Sequence, residues 1–372
     1  MKNSYICKQI YTECIIIKES TTKITKQMKK TIVILALLAW CGVAAQSAIL
    51  RVSNVVGSTA LYSSIDEAIM KANEGDTIMV DGSATSYGPV SVGKRVVLMG
   101  PGYFLNENGI CLSSPGPARL QDVEMEASGI IMQGMTVEGG IEVTAPRCVI
   151  TRCRVDGNIQ LWGPHEEGKS GNAVNCVIHQ NFLNGRVLGD YEVGYIPTIT
   201  GIQITNNIFN GPIDVYRGSI CDMTESRIEN NTWTNKEESP VLHTIFNSTI
   251  NNNIFPLAEA DASDVDGREN ADVTNLYNAR NNNVFLFESR WNLKSWEWDD
   301  LVSPFQGHTD TDLAVKAVED ELFQDNVGAF SGDDPYVISG IPTGPVVENL
   351  VIPATVRKGE TMNVEVKIGL TR

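Results

Sequence analysis

Carboxylates stand beside basic side chains at several points between residues 161 and 220 of the 372-residue chain. Carboxylates can hold a divalent cation, and a nearby Lys or Arg can act as a base, so these loops could support metal-assisted proton abstraction. The groups are His165, Glu166, Glu167 and Lys169, then Asp190 and Glu192, then Asp214 and Arg217. Because none matches a known catalytic motif, a solvated surface loop is the favoured explanation of each.

Three tryptophans lie close together further along the chain, at Trp291, Trp296 and Trp298, followed by Asp299 and Asp300. Exposed indoles stack on sugar rings, so the cluster predicts carbohydrate-binding residues. Trp side chains are highly buried on average, and packing as a lid over the end of the fold is the favoured alternative.

Metal ligands are sparse in the sequence. Asp261, Asp264 and Asp266 precede Gly267 at the short spacing of a calcium loop, but Glu269 comes too early to complete it. An acidic surface loop is therefore favoured. The four histidines show no ligand spacing, and we predict no cofactor, with calcium unsupported.

A repeat that runs from about Ile130 to Phe287 must position these groups. Its clearest copy, from Ile202 to Ile213, alternates apolar and polar residues, which indicates short strands rather than helices. The apolar anchors recur at steps of 18 to 30 residues, at Val137, Val155, Leu183, Phe209, Trp233, Phe255 and Phe285. Such a period predicts stacked coils, in which each inward side chain meets its counterpart about 4.8 Å away.

Asparagine stands two residues before five of these anchors, at Asn181, Asn207, Asn231, Asn253 and Asn283. Asn tolerates the left-handed backbone that a bend requires, and its amide both donates and accepts hydrogen bonds. Turn preference alone explains one or two of these residues but not five in register. We therefore predict a structural asparagine ladder inside one edge of the coil.

Five cysteines follow the first 45 residues, at Cys111, Cys148, Cys153, Cys176 and Cys221. Cys148 and Cys176 occupy the same inward position on adjacent copies of the repeat, where Ile130 and Ile202 also stand. This spacing would permit a disulfide, whereas plain apolar filling requires no bond and is favoured.

The formal net charge is −16, and removal of the first 45 residues leaves 22 basic and 43 acidic side chains, a charge of −21. This charge disfavours nucleic acid and anionic membranes as partners. It also disfavours tight, unassisted binding of polyanionic glycans.

The first 45 residues predict export rather than folded structure. Met28, Lys29 and Lys30 precede the apolar run Thr31–Trp40, and small residues end at Ala45, which is typical of a signal peptide. Residues 1–27 look unrelated to any fold, so we expect translation to begin at Met28. The mature protein is then secreted, periplasmic or on the cell surface, with no membrane span.

Three segments, Ser64–Ile69, Glu74–Val80 and Val96–Gly100, resemble the opening of right-handed parallel β-helix proteins of the pectin-lyase-like superfamily. The segment Val327–Pro342, with Gly344 and Pro345 after it, is similar to the endings of secreted β-helix proteins of Bacteroidetes. The resemblance implies an all-β, single-stranded right-handed parallel β-helix over residues 46–350. A short helix caps its amino-terminal end, and a β extension covers residues 351–372.

The superfamily contains polysaccharide lyases and hydrolases, and its galacturonan hydrolases use clustered aspartates with a Gly-His-Gly motif. In this chain, His308 follows Gly307 but precedes Thr309, so the motif is incomplete. We expect a non-catalytic protein that binds extracellular polysaccharide along a flank of the coil. The alternative is a lyase or glycoside hydrolase with a divergent site in the loops near residues 161–220. The oligomeric state stays open.

Overall fold

The computed structural model describes residues 47–105, 116–164, 170–192, 196–210, 218–233, 242–255, 279–281, 283–285, 327–351 and 365–371. The predicted signal peptide and the start at Met28 lie outside these ranges. Within them, no helix has the length and apolar character needed to cross a bilayer.

Most described strands belong to three parallel sheets, and successive turns of the coil add strands to each sheet. The first sheet has ten strands. They are β1 (Ile49–Val52), β2 (Thr77–Val80), β4 (Val97–Met99), β7 (Ile131–Gln133), β10 (Val149–Thr151), β13 (Val177–His179), β19 (Gln203–Thr205), β22 (Arg227–Glu229), β25 (Thr249–Asn251) and β27 (Ala279–Asn281).

The second and third sheets have eight strands each. The second contains β5 (Arg119–Leu120), β8 (Thr136–Val137), β11 (Arg154–Val155), β14 (Phe182–Leu183), β20 (Ile208–Phe209), β23 (Thr232–Trp233), β26 (Ile254–Phe255) and β28 (Val284–Phe285). The third contains β3 (Val90–Val92), β6 (Val123–Met125), β9 (Ile141–Val143), β12 (Ile159–Leu161), β15 (Val187–Leu188), β18 (Ile199–Thr200), β21 (Ile220–Thr224) and β24 (Leu242–Phe246). The predicted parallel β-helix is confirmed.

The core is a set of apolar columns inside the coil. In the first sheet, Ile150 pairs in register with Met132 on one side and Ile178 on the other, and each is at most 2% exposed. In the second sheet, the rings of Phe209 and Trp233 stack with centroids 4.7 Å apart and planes 6° from parallel. Stacking of like on like buries side chains that a single rung would leave exposed.

A short helix, α1 (Ile65–Lys71), caps the amino-terminal end as predicted. Ser64 caps it by accepting a hydrogen bond from the Glu67 backbone N–H at 3.2 Å. Its buried face, Ile65, Ala68 and Ile69, belongs to the core of the coil. The strand β1, which precedes α1 and begins the first sheet, carries no sequence signal that we identified.

The five predicted asparagines form a continuous ladder. Nδ2 of Asn207 donates to the Ile178 carbonyl at 2.9 Å and to Oδ1 of Asn231 at 3.0 Å. Its own Oδ1 accepts from the Asn181 backbone N–H at 2.9 Å and from the Asn181 amide at 3.0 Å. Equivalent bonds join successive members of the column Asn181, Asn207, Asn231, Asn253 and Asn283. At its upstream end the Cys153 backbone N–H donates to Asn181.

The left-handed backbone was wrongly expected at the ladder itself. It falls on the residue before Asn181, Asn207, Asn231 and Asn253, and on Arg152 before Cys153 one rung upstream, because that residue turns the chain while the next side chain points inward. These corner residues have φ between 51° and 56° and are Arg152, Gln180, Asn206, Asn230 and Asn252. On the preceding rung, Gly134 has φ 67°.

Residues 327–342, here called the strap, run across the outside of these corners. Asn206 donates through Nδ2 to the carbonyl oxygens of Ala329 at 3.1 Å and Ser331 at 2.8 Å. Asn230 donates to the Ser331 hydroxyl at 2.8 Å. The polar side chains of the corners therefore hold the strap's backbone.

The strap continues over the earlier rungs. The Gln180 amide donates to Oδ1 of Asp334 at 2.9 Å, and Nη1 of Arg152 donates to the Ile341 carbonyl at 2.8 Å. Nε2 of His179 lies 3.0 Å from Oδ2 of Asp334. A second apolar cluster seals the strap to the coil, formed by Tyr103, Phe104, Phe182, Ile208, Ala329, Phe330, Tyr336 and Ile338.

Two short antiparallel pairs complete the described strands. The pair β16 (Tyr191–Glu192) and β17 (Ile196–Pro197) projects from the third-sheet side of a rung. The pair β29 (Gly344–Val351) and β30 (Glu365–Thr371) follows the strap. Its first strand begins before residue 351, where the sequence analysis placed the boundary of the β extension.

Candidate functional site

The outer face of the third sheet carries a column of polar side chains. In β6, β9 and β12 the first and last residues point into the core, so the middle residue of each strand faces outward. Glu124 pairs in register with Glu142, and Glu142 pairs with Gln160. Neighbouring strands are about 4.8 Å apart, so these three side chains stand side by side along the coil.

A groove of about 400 Å³ lies over this column. It crosses four strands, and its walls combine carboxylates, carboxamides and one indole. The lining residues are Asp122, Val123, Glu124, Gly140, Ile141, Glu142, Asn158, Gln160, Trp162 and Leu188.

Backbone hydrogen bonds fix the polar groups along one side of the groove. Oδ1 of Asp122 accepts from the Gly140 N–H at 2.9 Å, and Oδ1 of Asn158 accepts from the Arg186 N–H at 3.0 Å. A side chain at Gly140 would place its Cβ 3.0 Å from the Asn158 carbonyl oxygen. A side chain at this position would therefore crowd the backbone of the next rung beside the groove.

The Gln160 amide is held toward the next rung. Its Nε2 donates to the Gly189 carbonyl at 3.0 Å, with longer contacts to the Leu161 and Leu188 carbonyls at 3.3 and 3.5 Å. A side chain with a fixed amide loses little further entropy on binding, which favours recognition of a ligand of defined shape.

Trp162 follows β12 at one end of the groove and is half-buried. Its backbone N–H donates to the Val143 carbonyl at 2.9 Å, and its carbonyl accepts from the Ala173 N–H at 3.0 Å. A Cβ at Gly171 would lie 2.9 Å from the Trp162 Cβ. The indole is therefore carried on backbone that hydrogen bonds fix on both sides, although it lies just beyond the end of β12.

The Asp190 side chain stabilises the backbone next to this end of the groove. Its Oδ2 accepts from the Gly163 N–H at 2.8 Å and its Oδ1 accepts from the Tyr191 N–H at 3.0 Å. The sequence offered Asp190 and Glu192 as loop carboxylates beside a base. Instead, Asp190 is buried and fixes the backbone that follows Trp162.

The groove is acidic. Asp122, Glu124 and Glu142 contribute carboxylates, and none of its lining residues is Lys or Arg. Carboxylates and carboxamides accept hydrogen bonds from hydroxyl groups, and an indole face packs against apolar C–H groups. In the part of the chain that the structure describes, no three His, Cys, Asp or Glu side chains are arranged to hold a metal ion.

Most of the remaining candidate residues from the sequence lie outside the described ranges. They are the predicted carbohydrate-binding Trp291, Trp296 and Trp298, the loop groups His165–Lys169, Asp214 and Arg217, the acidic segment Asp261–Gly267, and His308. These predictions stay as they were made.

Sequence reasoning missed Glu124, Glu142, Gln160 and Trp162, since it looked for function in loops and in the later tryptophan cluster. The available signal was a polar residue between two apolar ones at the same place in successive copies, as in Val123-Glu124-Met125 and Ile141-Glu142-Val143. That pattern places the polar side chain on the outer face of a sheet.

In comparisons with known proteins, the chain matches no protein-family model, no curated protein and no solved structure.

Proposed function

We propose that the groove on the third sheet binds a polysaccharide chain and that the protein is an exported, non-catalytic glycan-binding β-helix protein. One observation carries the proposal: an indole stands on fixed backbone at the end of a groove whose lining also presents carboxylates, carboxamides and a few apolar side chains. Sugar rings present hydroxyl groups to such acceptors and C–H faces to an indole.

The groove crosses several rungs, so a linear ligand would meet one set of side chains on each strand. Asp122, Glu124 and Glu142 would repel the carboxylates of a polyuronate. The expected ligand is therefore a neutral glycan rather than an acidic one. A distant kinship with the pectin-lyase-like superfamily belongs to this proposal, as does export by the amino-terminal signal.

A lyase acting in this groove is disfavoured, because a lyase needs a basic side chain beside its carboxylates and the lining residues include neither Lys nor Arg. A glycoside hydrolase is the second candidate. It is favoured by Glu124 and Glu142, which face the groove from neighbouring strands in register, since most glycosidases use a carboxyl pair.

The experiment measures retention of the full chain on gels containing immobilised neutral and acidic polysaccharides. Trp162→Ala should weaken binding of a neutral glycan about tenfold, a change of 1.4 kcal/mol, because the stacking face is lost. The matched control replaces Trp291, Trp296 and Trp298 together with Ala and should leave binding unchanged.

The opposite pattern, loss in the triple variant only, would move the site to the tryptophan cluster. Absence of binding to every glycan would contradict both candidates. New reducing ends that appear with the parent protein and vanish in Glu142→Gln would establish the hydrolase and overturn the non-catalytic proposal.

A further inference from the structure

A pair of cysteines lies beneath one corner of the coil, apart from the groove. Cys148 and Cys176 are 1% and 2% exposed and occupy one inward column on adjacent rungs. The Val177 N–H donates to the Cys148 carbonyl at 2.9 Å, which fixes the two strands in register at this point. All four described cysteines are thiols rather than disulfides in this structure.

The two thiols lie against the same backbone oxygen. Sγ of Cys148 lies 3.4 Å from the Ala145 carbonyl oxygen, and Sγ of Cys176 lies 3.6 Å from the same oxygen. Both sulfurs therefore gather around one acceptor. Directly opposed residues on neighbouring strands are about 4.8 Å apart, inside the Cα separation of 4.4–6.8 Å that disulfides span.

We propose that Cys148 and Cys176 form an oxidisable dithiol that closes to a disulfide between adjacent rungs. The reaction is thiol–disulfide exchange with an external disulfide. The thiolate of one cysteine attacks one sulfur of the oxidant, giving a mixed disulfide and releasing one thiol. The other cysteine then loses its proton and attacks the sulfur of the first, which releases the second thiol. Two protein thiols are oxidised, and one external disulfide is reduced to two thiols.

Contact between the two thiols affects both of them: it lowers the pKa of Cys148 and, together with burial, raises the pKa of Cys176. Either sulfur can attack first, since both orders give the same disulfide. Cys153, which lies deeper inside the coil, has its pKa raised to about 12 by burial and takes no part.

Turns at the corner of the coil cover the Cys148 sulfur. Sγ of Cys148 contacts the carbonyls of Ala127 and Pro146 as well as Ala145, and these belong to the turns at the corner. Opening of the turn before Arg147, which has φ 59° and is held by a 2.8 Å bond to the Ser128 hydroxyl, would expose the sulfur. The Cys148 sulfur is also exposed to an external disulfide during folding, before this turn has formed.

The bridge would enclose residues 148–176, a segment that contains β11, β12 and Trp162. Cross-linking restrains the unfolded chain most when the enclosed loop is long. The disulfide would therefore stabilise the rung that carries the groove's indole, whether or not the groove binds a glycan.

The test is peptide mapping of the full chain after folding and incubation with oxidised glutathione. Trypsin separates the relevant cysteines onto three peptides, Cys148–Arg152, Cys153–Arg154 and Ser170–Arg186. The proposal expects the first and third to appear joined, lighter by two hydrogens than their sum. Reduction should separate them. The oxidised protein should also unfold several degrees higher than the reduced one.

Cys148→Ser should abolish the joined peptide and the rise in unfolding temperature, while the matched control Cys221→Ser should keep both. Recovery of Cys148 and Cys176 as alkylated thiols from oxidised parent protein would overturn the proposal. So would a cross-link that joins either of them to Cys153.

Discussion

Two columns of neighbouring residues at the same edge of the coil behave in opposite ways. The ladder positions hold the same residue on five rungs and bond to one another inside the coil. The corner positions immediately before them vary in residue type and bond outward to the strap. Residues that bond to the equivalent residue on the next rung are all of one type. Residues that bond to the strap, which does not repeat, vary in type.

The ladder should be the more costly column to break. Asn207→Ala removes the acceptor of the Asn181 N–H and the donor to the Ile178 carbonyl, both buried. Leaving these two groups without partners should lower the free energy of unfolding by about 3 kcal/mol. Chemical denaturation of the parent and the variant measures the difference, and an unchanged midpoint would contradict the ladder.

The matched change one residue earlier should cost less. Asn206→Gly keeps the left-handed backbone without strain but loses the bonds to Ala329 and Ser331. We expect a loss of about 1 kcal/mol. The strap is nearer to solvent than the ladder, so hydrogen exchange should quicken at 327–342 while the ladder amides stay protected. If hydrogen exchange became equally faster at the strap and at the ladder amides, the proposed difference between the two columns would be wrong.

The smallest effect should come from pH. Burial holds the pKa of His179 below its usual 6.5, although Asp334, 3.0 Å from Nε2, opposes the shift. Arg152 acts with burial, while Thr205 accepts from or donates to Nδ1 at 2.8 Å. Between the folded and unfolded pKa values of His179, the unfolded chain binds a proton more readily than the folded chain does. The free energy of unfolding should therefore fall as the pH drops through 6.5.

This loss should be complete only below the folded pKa of His179, and stability should be independent of this group at higher pH. His179→Gln removes the titrating group and should flatten that part of the curve of stability against pH. A parent protein that becomes more stable between pH 7 and pH 5 while the variant does not would reverse the assignment.

The same contrast explains what the sequence could predict. Each ladder asparagine stacks on another asparagine, and each apolar anchor from Val137 to Phe285 stacks on another apolar residue. Stacking therefore requires the same kind of residue at regular intervals in the sequence, and this repetition allowed the coil to be predicted. The strap has no copy of itself, and it meets the corners through backbone carbonyls, as at Ala329 and Ile341, and through the Ser331 and Asp334 side chains. The segment carries a sequence signal of its own, but no repetition predicts its course over the corners.

The groove could be predicted from the sequence only in part. Glu124 and Glu142 stand at one repeat position, but Gln160 and Leu188 take the same position on the next two rungs. Their outward direction follows from alternation, whereas the depth of the groove depends on Gly140 and on the backbone around Trp162. Those are tertiary relations between rungs, which local periodicity does not report.

The position of the strap in the sequence also affects the order in which contacts form during synthesis. Synthesis proceeds from the amino terminus, so every corner from Arg152 to Asn252 emerges before the segment that satisfies it. Until residues 327–342 arrive, the polar corner groups must rely on water and the apolar surface at Phe182 and Ile208 stays bare. Residues 327–342 therefore supply contacts that the coil cannot make for itself, and a chain truncated before residue 327 would form the rungs but leave Arg152 and Asn206 without their strap partners.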